Sequence, residues 1–184
     1  MATKRTTTLH PETEPAGKLV ILTIVTLGAY YHYWCFKHWN LLKHVQGRNL
    51  WPAGRGLLGP LLAPWLYRDL YALEDPRTAA SGFRAGLVTL VTVIVLNAAG
   101  LVPEAYLSSV VVEVAYYVAS LVLLAIFLAG MVLAQSRVNR YWERARKTDR
   151  VPLPGKVLFI VALVALYLLV FLIVFSATAP IEEY

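Results

Sequence analysis

The stretch Thr26-Leu27-Gly28-Ala29-Tyr30-Tyr31-His32-Tyr33-Trp34-Cys35-Phe36-Lys37-His38-Trp39-Asn40-Leu41-Leu42-Lys43 decides how the chain is read, because an apolar run enters it and a basic helix leaves it. Tyr30, Tyr31, Tyr33, Trp34 and Trp39 each join a large apolar ring to a polar atom, a combination most stable where hydrocarbon meets headgroups. Lys37 and Lys43 add charge that favours the cytoplasmic side. With Trp51 and Trp65, these rings are expected to anchor the chain at a membrane surface.

Composition agrees. The chain has 184 residues, of which 58% are hydrophobic and 15% charged, too apolar for a surface that faces water throughout. The apolar excess lies in four blocks, residues 19–36, 85–102, 105–134 and 157–175, each near the roughly 20 residues that cross a bilayer as a helix. None shows the period of two expected of barrel strands. The fold class expected is therefore an all-α membrane protein with four transmembrane helices plus an interfacial amphipathic or re-entrant segment.

The remaining stretches fill in the organisation. Residues 1–17 are polar, with Pro11 and Pro15, and read as a disordered tail; residues 18–179 form a single helical membrane domain; residues 180–184 are an acidic tail. The interfacial segment covers about residues 37–73, with Lys37, Asn40 and His44 on one helical face, Cys35, Trp39 and Leu42 on the other, and Gly47 as the stop. Between Gly54 and Tyr67, glycines and prolines argue against a straight crossing. Residues 135–150 extend the third span into water as a basic helix.

Basic residues set the orientation. Seven (Lys37, Lys43, Arg48, Arg55, Arg68, Arg77, Arg84) lie between the first two spans, and seven (Arg137, Arg140, Arg144, Arg146, Lys147, Arg150, Lys156) between the last two. The positive-inside rule then makes these connectors cytoplasmic and puts both termini outside. The net charge of +6 is thus explained by a membrane surface, with anionic headgroups among its partners, and no nucleic acid is expected. Cys35 is the only cysteine, so no internal disulfide forms.

The order of motifs resembles a family of small bacterial integral-membrane proteins known as a domain of unknown function, of the DUF4234 type. The resemblance rests on Leu27-Gly28, Tyr30, Tyr33-Trp34, Phe36-Lys37 and Trp39, then Arg48-Asn49, Pro52 and Arg55, then Leu66-Tyr67-Arg68-Asp69-Leu70, and finally Gln135 to Asn139. The chain departs from the pattern at Ala53, Gly54 and Gly56, where the family carries aromatics. The resemblance implies a bacterial inner (cytoplasmic) membrane and a multi-pass helical fold, and it supplies no catalytic residues.

Three groups of residues could carry chemistry. Asn97 and Glu113 are the intramembrane polar pair, expected to meet across the second and third spans as a structural hydrogen bond or as part of a transport path. Gln135, Asn139 and Trp142 recur on one face of the extension beside a stripe of Arg137, Arg140 and Arg144, an expected interaction surface for a partner or for the chain's own acidic residues Asp69, Glu74 and Asp75. His32, Cys35 and His38 have near-helical spacing, but the outer two are about 120° and 9 Å apart, which argues against a shared metal. No catalytic motif and no cofactor is expected. Of the functional classes left, a non-catalytic accessory or scaffold protein, acting with a membrane protein partner or as a homo-oligomer, leads. An oligomeric transporter or channel using Glu113 and Asn97 is the alternative, and a lipid-acting enzyme or sensor comes third.

Overall fold

The structure, a computed structural model, describes residues 13–103, 106, 109–145, 153 and 155–178. Residues 1–12, 146–150 and 179–184, assigned from sequence to the tails and the end of the extension, lie outside the described residues. Among those described, every regular element is helical: α1 (Ala16–Val25), α2 (Ala29–Gln46), α3 (Pro52–Leu57), α4 (Ala63–Glu74), α5 (Ala79–Ala99), α6 (Val110–Ala145) and α7 (Lys156–Thr178), with a 3-10 turn at Pro76–Thr78.

The expected first span, residues 19–36, is two helices rather than one. α1 stops at Val25, and the chain reverses through Leu27 (φ 49°) and Gly28 (φ 89°). Thr26 closes this turn: its Oγ1 donates to Leu22 O at 2.7 Å and accepts from Tyr30 N at 2.9 Å, which satisfies one of the bare N–H groups at the start of α2. The two arms return side by side, and their open ends meet where Lys37 Nζ lies 3.2 Å from Glu14 Oε1. A run whose two ends meet does not cross a bilayer. At 1.5 Å per residue α1 reaches only about 15 Å, half the hydrocarbon thickness. Residue 14 accordingly lies at the same end as Lys37, not at the opposite one that a crossing would require.

The surroundings of α2 differ as well. An interfacial helix would leave its Lys37 and Asn40 face in water, yet both residues are buried, together with Cys35, Trp39 and Leu42 on the other face. The reason is that α1, α3, α4 and α7 all pack against it. Gly47 (φ 63°) ends the helix as its sequence suggests.

A second hairpin follows, made by α4 and α5. Their backbones approach so closely that a Cβ on Gly82 would lie 2.5 Å from Tyr67 O and one on Gly86 2.5 Å from Ala63 O. Only glycine fits at such a crossing. At the reversal, Asp75 Oδ1 accepts from Arg77 N at 3.0 Å, and Thr78 N donates to Asp75 O at 2.9 Å.

α6 is the axis against which the rest are measured. α2 and α4 run parallel to it: Tyr31 packs on Phe127, Trp34 bonds Gln135, and Glu74 meets Arg140. α1, α5 and α7 run the other way, since Thr23 meets Met131, Glu14 meets Asn139, Ala99 meets Tyr116, and α7 pairs Phe159 with Phe36 and Tyr167 with His32. One end of the molecule thus gathers Glu14, Lys37, Glu74, Arg137, Arg140 and Lys156; it is called the basic end here. The far end holds the α5–α6 connection.

Among the described residues two helices are long and apolar enough to cross a membrane, Pro76–Ala99 and Val110–Ala145, rather than the four expected. The apolar stretches Ala16–Val25 and Lys156–Val170 are shorter. The core sits toward the basic end, where Trp34, Trp39, Tyr67, Leu66 and Met131 are fully buried. Toward the far end α5, α6 and α7 turn valine, leucine and isoleucine outward, with Val111 78% exposed and Val91 56%.

Candidate functional site

Glu74, the last residue of α4, collects the basic stripe of α6. Its carboxylate accepts from Arg137 Nη1 at 2.8 Å, from Arg140 Nε at 2.7 Å and from Arg140 Nη2 at 3.1 Å, and Arg144 Nη2 lies 3.3 Å away. The Arg137 guanidinium also stands 4.8 Å over the Tyr71 ring. The hydrogen bonds from Arg140, aided by Arg137, outweigh the burial that would raise this carboxyl and hold it at about 2. The expected docking of the extension on the chain's own acidic residues is therefore made, through Glu74.

The other face of α6 carries the second cluster. Asn139 clasps the backbone of Glu14, its Nδ2 donating to Glu14 O at 3.0 Å and its Oδ1 accepting from Glu14 N at 3.2 Å. Gln135 Nε2 donates to the same Oδ1 at 2.8 Å, and Gln135 Oε1 accepts from the Trp34 indole at 2.8 Å. His38 follows, its Nδ1 2.7 Å from Trp34 O and its ring 4.2 Å from the Trp34 ring. Burial, reinforced by the neighbouring charge of Lys37, pushes His38 down to about 3, so it is a neutral packing group.

The Glu14 carboxylate completes the cluster by accepting from Tyr30 OH at 2.9 Å and pairing with Lys37 at 3.2 Å and Lys18 at 3.7 Å. Burial alone would raise this carboxyl, but Lys37 and the Tyr30 hydroxyl bring it below the usual carboxylate value. A third cluster joins Arg48 Nη1 to Asp69 Oδ2 at 2.6 Å and Arg68 to Asp69 Oδ1 at 2.8 Å.

These clusters fasten helices and leave little for chemistry. His32 Nδ1 faces Leu57 O at 3.0 Å and Gly56 O at 3.3 Å, Cys35 is fully buried, and His38 is turned to its own helix. The alternative of a metal on His32, Cys35 and His38 gains no support, since no group of three metal-ligating side chains is positioned for one among the described residues.

The expected membrane anchors separate into three sets. Tyr31, Trp34 and Trp39 belong to the core, with the Arg55 guanidinium 4.5 Å over the Trp39 ring; Tyr30 and Tyr33 are half-buried; Trp51 and Trp65 are exposed, at 73% and 44%. Of the interaction residues, Gln135 and Trp142 are buried and the arginines are paired.

Asn97 and Glu113 are not paired with each other. Asn97 Nδ2 donates to Val93 O in its own helix, and Glu113 stands on an exposed face in the first turn of α6. Asn97 instead lines a cavity of about 480 Å³ where the Leu27–Gly28 turn and Pro60, between α3 and α4, meet the long helices, with Thr23, His32, Phe127 and Tyr167 among its other walls.

Three contributors escaped the sequence reading. Glu14 lay in the assigned tail, and its only signal is a carboxylate just ahead of an apolar helix. Gly82 and Gly86 have the four-residue spacing of close helix contacts. On α6 the same spacing occurs at Ala115 and Ala119 and at Ala125 and Ala129, which are exposed, and at Gly130 and Ala134. At that last pair it does mark a close contact, since a Cβ on Gly130 would lie 2.9 Å from Thr89 Oγ1 and Ala134 is buried. Compared with known proteins, the chain matches no family model, no curated protein and no solved structure.

Proposed function

We propose that this is a non-catalytic integral-membrane accessory or scaffold protein that acts by presenting its helices to a larger membrane assembly. The observation that carries the reading is how the charged residues are used. Glu14, Lys37 and Asp69 are buried, and each is held in an internal ion pair, as is Glu74. Rows of branched apolar side chains on α5, α6 and α7 are left for lipid or another helix. Purification of the full chain in mild detergent tests this reading: a stable complex with another membrane protein is expected, and a monodisperse chain alone would count against it. The resemblance to bacterial membrane proteins of the DUF4234 type accords with an inner-membrane location.

The topology that best fits the geometry has α5, α6 and α7 as crossings, α7 reaching about 34 Å over its 23 residues. The α1–α2 and α3–α4 arms enter only part-way from the cytoplasmic, basic side. In a Cys35→Ala background, a cysteine at Gly100 should react with an impermeant reagent in intact cells. One at Gly17 should not, whereas the four-span arrangement requires both to react.

A second reading, a transporter or channel, is favoured by the cavity lined by the Leu27–Gly28 turn and by Pro60 between α3 and α4, since non-helical backbone at membrane depth persists where it lines a cavity. Its test is solute or proton flux in proteoliposomes, lost on Asn97→Ala or His32→Ala.

A further inference from the structure

The geometry points to a binding site for one anionic phospholipid, drawn from the leaflet at the basic end, in the groove between α2 and α7. This rests on the membrane reading above and adds to it a defined place and a headgroup charge. The groove has a volume of about 690 Å³, and its walls are apolar, with Ala29 and Tyr33 on one side and Ile160, Val164 and Leu168 on the other. Ile160 and Val164 remain 40% and 53% exposed, so the described residues do not fill the groove.

Lys156, the first residue of α7, stands at its head, with the ammonium 5.7 Å from the Tyr33 ring. Among the described residues no carboxylate pairs with it. In this it differs from Lys37, Arg48 and Arg137, whose charges are already met.

Depth and charge together identify the occupant. From Lys156 to Leu168 the trough runs about 18 Å along the helix, close to the roughly 15 Å of one hydrocarbon leaflet. A cation that no described carboxylate meets, at headgroup depth above an apolar trough one leaflet long, is complementary to a phosphate ester carrying an acyl chain. At its foot Tyr167 lines both the groove and the cavity beside Asn97, so the two spaces adjoin.

Native mass spectrometry of the full chain, released from mild detergent with palmitoyl-oleoyl phosphatidylglycerol or the matching phosphatidylcholine, tests the proposal. Phosphatidylglycerol, the anionic lipid of the two, should be held about fivefold more tightly, the value of one lysine near a membrane surface. Lys156→Ala should abolish the preference while keeping the weaker binding of both lipids. Val164→Trp, at an exposed position that tolerates bulk, should reduce both by about tenfold or more by filling the trough. Arg84→Ala, an exposed charge elsewhere, should change neither.

Several results would overturn the site: equal retention of the two lipids by the unaltered chain, an unchanged preference in Lys156→Ala, or displacement of the bound lipid by free glycerol phosphate. So would a dimer that Val164→Trp dissociates, which would make a second copy the occupant. Carbonate extraction separates the two levels. Release of the chain from membranes would refute the membrane reading itself, while retention without headgroup preference would refute only the groove.

Discussion

At the basic end, α1, α2 and α6 meet through Glu14, Lys37, Trp34, Gln135 and Asn139, each with a polar partner within 3.2 Å. At the far end, α5 and α6 touch where Tyr116 OH donates to Ala99 O at 2.8 Å, while Leu101, Val110 and Val111 face outward, all at least 75% exposed. The contrast shows two ways of stabilising helices in one chain. The basic end builds an interior of its own, with aromatic rings filling space and charged groups matched in pairs. The far end leaves its apolar side chains uncovered, which is the feature the proposed membrane setting would satisfy.

The largest expected effect comes from breaking the interior. Trp34→Ala removes a fully buried indole together with its hydrogen bond to Gln135 Oε1, so it should cost about 3 to 5 kcal/mol in an unfolding titration in mixed micelles. Tyr117→Ala, at a ring 55% exposed on the apolar face of α6, should cost less than about 0.5 kcal/mol. Equal losses for the two variants would erase the distinction between the ends.

The Glu74 clasp should respond to both mutation and pH. Glu74→Ala should cost about 2 kcal/mol, the scale of hydrogen bonds to a charged group, and should expose the α6 extension to trypsin at Arg140 and Arg144. The folded carboxyl is held at about 2 against an ordinary 4.5, so its stabilisation is complete above the ordinary value and is lost as pH falls toward 2. Using an acid-tolerant protease in place of trypsin, cleavage of the extension should therefore rise across that window in the unaltered chain and stay flat in Glu74→Ala. A flat response in both would mean that the clasp does not hold the extension.

The helical class, the apolar runs and the basic stripe of α6 were legible, because each is written in local periodicity and charge. The docking of that stripe on Glu74 was legible too, as one of the stated alternatives, since opposite charges on nearby elements suffice to suggest it. The hairpin was not. Thr26-Leu27-Gly28 lies inside a run whose average hydropathy conceals a three-residue reversal, and hydropathy does not register backbone handedness. The aromatic residues misled for a related reason: tyrosine and tryptophan suit a headgroup region and an enclosed, hydrogen-bonded core equally well, and only the partners, such as Gln135 for Trp34, separate the two.

The hairpin turn gives a smaller test of the same contrast. Thr26→Val keeps the shape and removes the hydroxyl that accepts from Tyr30 N, so it should cost about 1 kcal/mol, the usual value of a helix cap. Because the turn lies away from the Glu14 and Lys37 tie, the variant should loosen the hairpin tip in hydrogen exchange while leaving the amides of α2 near Trp39 protected. Loss of protection along the whole of α2 would show that the tip and the interior unfold as one unit.

The smallest expected effect is at the far end, where Asn97 and Glu113 can be tested as a pair. Asn97 satisfies its amide on Val93 O within α5, and Glu113 lies in the first turn of α6, where a negative side chain suits the bare N–H groups of the helix start without needing a partner on α5. The register agrees: with Ala99 opposite Tyr116 in antiparallel helices, Asn97 lies level with positions beyond Tyr116, and Glu113 lies on the other side of that contact. Asn97→Ala and Glu113→Gln should each change stability by less than about 0.5 kcal/mol, and a double-mutant cycle should give a coupling near zero, within the roughly 0.3 to 0.5 kcal/mol over which independent sites add. A coupling clearly above that range would mean that the two side chains meet in the membrane. The far end would then hold an interior of its own, and a transport path through Asn97 would become the better reading of the cavity beside it.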